Sequence, residues 1–240
     1  MALYRDEGVV LKTVKLGEAD RIVTLLTKRH GKVRAVAKGV RRTKSRFGAR
    51  LEPFMRDDLL IAQGRSLDVV SQAASLSAYA GGISMDYEAY TAASIMAEIV
   101  DRIVSAEQEP APDQYRLLIG ALAALSKGRH KPGLISASYT LRALSLAGWT
   151  PRLDSCVVCG RRDDLNYFSI PAGGSMCSKD RTPEARPVEL DRREELEALV
   201  EGDWPILDRG ALDATTRQIV EDWGEYYLER RIRSLHLLDS

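Results

Sequence analysis

At 240 residues, with 45% hydrophobic and 29% charged content, the chain has material for one large or two modest cored domains and is too apolar to be largely disordered. Its formal net charge of +1 conceals a polarity, since residues 1–80 carry 16 Lys/Arg against 8 Asp/Glu while residues 81–240 carry 19 against 26. No run of about 18 apolar residues is present to span a membrane, and the opening MALYRDEGVVLK lacks the apolar core of a signal peptide, so a cytoplasmic protein is expected.

Residues 3–75 carry strand signals. Tyr4–Leu16 is rich in β-branched residues, Arg21–Thr27 reads RIVTLLT, and His30-Gly31-Lys32 forms a tight turn into Val33–Lys38. Met55–Ala62 and Ser66–Gln72 flank Gln63-Gly64-Arg65, a short hairpin signal. Five short strands with tight turns predict a small OB-type β-barrel over residues 1–80.

Within it, Lys28–Arg50 holds ten Lys/Arg and no Asp or Glu. Alternation predicts a strand with Val33, Ala35 and Ala37 on one side and Lys32, Arg34, Val36 and Lys38 on the other. Gly39–Gly48 then reads as a loop carrying Arg41, Arg42, Lys44 and Arg46. A solvated surface is the ordinary meaning of such a run, but a track of one sign also suits a phosphate backbone, whose neutralisation releases counterions. Tyr4, Phe47 and Phe54 are the only rings before Tyr79, and Phe47 is placed either to stack a base or to pack the loop onto the barrel.

From Gly81-Gly82 onward the pattern is helical, giving a second domain over 81–240. Asp86–Val104 places Ile95, Ile99 and Ile103 at fourfold spacing. Asp113 is the expected N-cap of the next helix, which stops at Gly128, and Pro132 opens the helix through Gly133–Ala147. Arg192–Val200 and Ala211–Leu238 are expected helices as well, the last packing through Ile219, Trp223, Tyr226, Tyr227 and Ile232.

An insert at 154–182 interrupts this domain and holds all three cysteines, in the spacing C-x2-C-x17-C-x2-D. Cys156, Cys159, Cys177 and Asp180 have the spacing of a paired-knuckle zinc site in which aspartate replaces the fourth cysteine, with Gly160 and Gly173-Gly174 supplying turns. A reducing cytoplasm favours thiolates over disulfides. Bound Zn2+ would be structural, because no histidine lies nearby in sequence and His30, His130 and His236 are isolated. A hairpin that packs without metal and a redox pair at Cys156 and Cys159 are the other two readings of the spacing. The chain contains no phosphate-loop, dinucleotide-glycine, H-E-x-x-H or G-x-S-x-G motif, and Asp57-Asp58 would point to opposite faces of a strand.

Three stretches together, Glu7–Pro53, Leu141–Gly160 (LRALSLAGWTPRLDSCVVCG) and Phe168–Asp180 (FSIPAGGSMCSKD), resemble the bacterial RecO family of recombination mediator proteins, and the resemblance runs along essentially the whole chain. It implies an α+β multidomain protein, an OB-type barrel followed by a helical domain with a zinc knuckle. It implies a non-enzyme of recombinational repair that binds single- and double-stranded DNA and anneals complementary strands. It further implies engagement of the acidic tail of the single-stranded-DNA-binding protein, action with RecR to load RecA, and a nucleoid-associated location. Lys32, Arg34, Lys38, Arg41, Arg42, Lys44, Arg46 and Arg50 match the family's basic strand and loop, and Cys156, Cys159 and Cys177 its knuckle; Asp180 departs from the four-cysteine version. Arg129, Lys131 and Arg142 are candidates for receiving the partner's tail. An RNA-binding or transcription-associated module with an OB fold and zinc knuckle is the alternative, and a zinc-dependent nuclease or hydrolase is a distant third.

Overall fold

A computed structural model describes residues 2–237, which divide into two compact units between Arg129 and His130. The first unit opens with β1 (Leu3–Leu16), β2 (Asp20–Thr27), β3 (Gly31–Ala37), β4 (Met55–Ala62) and β5 (Asp68–Ala78). These form one five-stranded sheet in the order β1-β2-β3-β5-β4, and β4 pairs back onto β1, so the sheet closes on itself. The seam is thin: β3 meets β5 in parallel through Ala35↔Asp68 and Val36↔Val69, whereas the other neighbours are long antiparallel ladders.

The interior follows from alternation. Val23, Leu25, Val33, Ala35, Ala37, Leu59, Ile61 and Val70 project inward and are fully or almost fully buried, as expected when every second residue of a strand faces one side. The last strand runs further than the sequence indicated. Its SQAASLSA tail is small and polar, weak in intrinsic strand preference, and is held by pairing with β4 as far as Met55↔Ala78.

Three helices complete this unit, α1 (Tyr79–Ile83), α2 (Tyr87–Ile103) and α3 (Pro112–Ser126). Asp86 caps α2 by accepting from the Glu88 and Ala89 N–H groups. The expected cap at Asp113 is not formed; α3 begins at Pro112, which fits the first turn because it has no N–H to satisfy, and Asp113 lies inside that turn. The connection after α2 lies along β3, where Gln108 N donates to Lys32 O and a Cβ on Gly31 (φ 61°) would stand 1.7 Å from Glu109 O. Only glycine fits there.

The second unit contains α4 (Pro132–Leu146), β6 (Tyr167–Ser169), β7 (Gly174–Met176), β8 (Arg186–Pro187), α5 (Leu190–Glu201), α6 (Trp204–Leu207), α7 (Ala214–Tyr227) and a 3-10 turn at Arg233–Leu237. Leu134, Tyr139, Leu141 and Leu144 of α4 are buried, and that helix packs on α5 and α7. Trp223 and Ile219 are buried on α7 as expected, and so is Ile232 beyond its end, whereas Tyr226 is about half exposed. The single helix expected over Ala211–Leu238 ends at Tyr227, and Leu238 lies outside the described residues. A three-stranded sheet β7-β6-β8 sits in and beside the cysteine insert. No helix among the described residues is long and apolar enough to cross a membrane.

Candidate nucleic-acid interface and metal centre

The basic stretch separates into two populations. Lys32 and Arg34 do leave one face of the third strand, with Lys38 just past its end, but the part of that face holding Lys32 and Arg34 is not free. Lys32 is buried, its Nζ donating to the Asp101 carbonyl at 2.8 Å and pairing with the Asp101 carboxylate at 3.4 Å. Lys12 reaches the same carboxylate at 2.5 Å, and Arg34 pairs with Glu107 at 3.4 Å. Acids from α2 and the segment after it therefore neutralise the upper part of the expected track. The sequence signal was present, since Asp101 and Glu107 are visible, but their distance along the chain concealed the pairing.

The loop cations are different. Lys38, Arg42, Lys44 and Arg46 are exposed and make no ion pair among the described residues. The loop beneath them is held from inside, because Val40, Phe47 and Leu51 join the barrel core. Phe47 is thus a packing ring and not a stacking platform, with the Arg46 guanidinium 4.9 Å from its centroid. Arg41 donates to the Gly17 and Glu18 carbonyls and Arg50 to the Arg46 and Phe47 carbonyls, bonds that fix position without cancelling charge.

Asp57 and Asp58 separate as the strand alternation requires. Asp58 pairs outside with Arg5, whereas Asp57 is fully buried and neither of its carboxylate oxygens has a hydrogen-bond partner among the described residues. Burial pushes the Asp57 carboxyl up to about 7, against the pull of Arg50.

In the second unit the four candidate ligands converge. One donor atom each from Cys156, Cys159, Cys177 and Asp180 lies within 4.8 Å of all the others. Cys159 and Cys177 Sγ are 3.8 Å apart, and Asp180 Oδ2 stands 3.2 Å from Cys177 Sγ and 3.8 Å from Cys156 Sγ. Sulfurs bound to one tetrahedral zinc at about 2.3 Å stand about 3.8 Å apart, so the donor set fits that ion. All three cysteines are free thiols. Burial alone raises the Cys156 thiol, but N–H groups of Cys159, Cys177 and Val158 outweigh it and bring the value to about 7. The Asp180 carboxylate, hydrogen-bonded to Cys159, pushes that thiol up to about 11.

Local backbone builds the two arms. Cys156 N donates to Arg161 O, Gly160 N returns to Cys156 O, and Val157 N joins Ser175 O. At Gly174 (φ 152°) an added Cβ would stand 2.2 Å from Arg152 O, so the close approach of those backbones requires glycine. Two of the three histidines are engaged elsewhere than in the cluster. His30 bonds Asp6, His130 bonds Asp208 and stacks on Trp204, and His236 falls outside the residues whose side chains are described. Of the tail-binding candidates, Lys131 donates to Gly210 O, the Arg142 guanidinium lies against Gly202, and Arg129 is exposed.

Comparison with known proteins gives two family matches, "Recombination protein O N terminal" over residues 1–79 and "Recombination protein O C terminal" over 84–236. The chain belongs to the RecO family. Among RecO proteins, the "DNA repair protein RecO" of Bifidobacterium adolescentis is 64% identical over 246 residues, covering 100% of both chains. That of Bifidobacterium longum (strain NCC 2705) is 61% identical over 240 residues, again with 100% of both covered. The RecO of Streptomyces coelicolor is 43% identical over 252 residues with the same full coverage.

Proposed function

We propose that this protein is a non-enzymatic mediator of recombinational DNA repair that binds single- and double-stranded DNA and anneals complementary strands. The observation that carries the proposal is the core-anchored loop that exposes Lys38, Arg42, Lys44 and Arg46 without acidic partners, in a chain whose relatives are named DNA repair proteins. Residues 1–80 serve as an OB-type nucleic-acid-binding domain and 81–240 as the helical domain. Lys38, Arg41, Arg42, Lys44, Arg46 and Arg50 hold the phosphate backbone. Lys32 is assigned to structure, and Arg34 contributes only when it exchanges Glu107 for phosphate. Annealing needs no bond chemistry: a cationic platform that holds two strands screens their repulsion, and base pairing supplies sequence specificity.

Cys156, Cys159, Cys177 and Asp180 hold a structural Zn2+, which supplies the cation that three crowded thiols and a carboxylate call for and closes the insert as a zinc knuckle. The wider partners proposed are the acidic tail of the single-stranded-DNA-binding protein, RecR and, indirectly, RecA. Arg129, Lys131 and Arg142 are kept as candidates for the tail. The alternative, an RNA-binding or transcription-associated module, would show preference for RNA in direct competition.

The test is strand annealing by protein in which Arg41, Arg42, Lys44 and Arg46 are changed to glutamine. Annealing should be lost at moderate salt while the thermal transition is retained. Annealing equal to that of the unaltered protein would remove the proposed interface.

A further inference from the structure

The outer face of β1, β2 and β3 is ordered in rows across the strands, because directly paired residues of antiparallel strands share a face. Lys12, Thr24 and Arg34 form one row through the pairs Lys12↔Thr24 and Thr24↔Arg34. This row and the residues above it are occupied: Lys12 and Lys32 pair with Asp101, Arg34 pairs with Glu107, and Thr24 and Leu26 are buried. The next row is Val14, Ile22 and Val36, through Val14↔Ile22 and Ile22↔Val36. Here the cover stops. Val14 is 56% exposed, Ile22 and Val36 are half-buried, and Leu16, two residues beyond Val14 on the same face, is 39% exposed.

An aliphatic row left open at the edge of a covering helix is unusual on a surface so rich in charge. Its borders say what fits it. Lys38 follows Val36 by two residues on the same face, and Arg42 and Lys44 of the adjoining loop are free of acids. The nearest acid on that face, Asp20, is engaged by Gly39 N at 2.7 Å. Cations on one side and an apolar row on the other match a polymer with phosphates along one edge and exposed flat rings along the other. An unpaired nucleic-acid strand has that chemistry; a duplex, with its bases stacked inside, does not.

We propose that Val14, Ile22 and Val36, with Leu16, form a base-contacting platform for single-stranded nucleic acid, the bases lying on the aliphatic row while Lys38, Arg42 and Lys44 hold the phosphates. The proposal rests on the nucleic-acid function assigned above and specifies which form of strand that site takes. In a barrel with few rings, β-branched side chains here take the place of aromatic ones as the apolar surface. Such packing is tolerant of sequence because every base has an apolar face.

The experiment compares, on the unaltered protein, an oligothymidylate with an abasic oligomer of the same length and charge. The intact oligomer should bind about fivefold to tenfold more tightly, the scale expected for partial burial of several base faces. Val14→Thr with Val36→Thr, substitutions that keep β-branching at positions outside the core, should remove most of that gap without changing the salt dependence. Arg42→Gln with Lys44→Gln should weaken both oligomers alike. Equal affinity of the intact and abasic oligomers for the unaltered protein overturns the platform, as does a gap that survives the threonine pair. If the glutamine pair weakens neither oligomer, the nucleic-acid assignment itself fails, and the platform with it.

Discussion

Lys32 illustrates how one residue's meaning changes between pattern and structure. In the sequence it is one of ten cations in a row; in the fold its amine is buried on Asp101. Lys32→Met should therefore lower stability by about 1.5–3 kcal/mol, the range for hydrogen bonds made by a charged group, with Lys12 still paired to the Asp101 carboxylate, and leave DNA affinity nearly unchanged in the same preparation. Asp57 gives a prediction in pH. Its folded value, raised to about 7 by burial, lies above that of the unfolded chain, so its favourable contribution is complete below about pH 4 and is lost as pH rises through 7. Asp57→Asn should flatten the decline in thermal stability between about pH 4 and 7 and stabilise the protein by about 2–4 kcal/mol above that window. At the candidate metal site, Asp180→Cys should raise zinc affinity in a chelator competition, since a fourth thiolate is a softer ligand than a carboxylate, and Asp180→Ala should lower it.

At the scale of elements, the basic loop is anchored to the barrel because three side chains of this segment, Val40, Phe47 and Leu51, are core residues. Phe47→Ala should cost about 3–5 kcal/mol and should weaken DNA binding even though no charge is removed, a combination that melting and binding measured on one sample would reveal. The strands were legible in the sequence where inward apolar residues recur at every second position, as in Val23 and Leu25 about Thr24 and Val33 and Ala35 about Arg34. The end of β5 was not, because serine and alanine carry no such signal and the partner strand alone dictates their conformation. Helix α3 was legible in its length, but proline at its first position displaced the cap expected at Asp113. The cysteine cluster was legible almost completely, since two short-range x2 spacings fix two pairs of ligands locally and the β6–β7 hairpin has only to bring them together. The ion pairs that silence Lys12, Lys32 and Arg34 were not, because they join residues 69 to 89 positions apart.

Across the whole molecule, the sequence polarity between a basic first third and an acidic remainder corresponds to two separate features, an exposed cationic loop on the five-stranded sheet and a cluster of three cysteines and an aspartate in the second unit. Chelation should release one zinc per chain and open the 150–188 segment to protease while sparing the five-stranded sheet, which holds none of the ligands. The most direct test of the central claim is the slope of log affinity for single-stranded DNA against log salt, measured for the unaltered protein and for one with Lys38, Arg42, Lys44 and Arg46 changed to glutamine. Each phosphate that is no longer neutralised should reduce the slope by about 0.7, so removing four cations should flatten it by up to about 3. An unchanged slope would place the backbone-binding cations elsewhere on the protein and contradict the assignment of the loop.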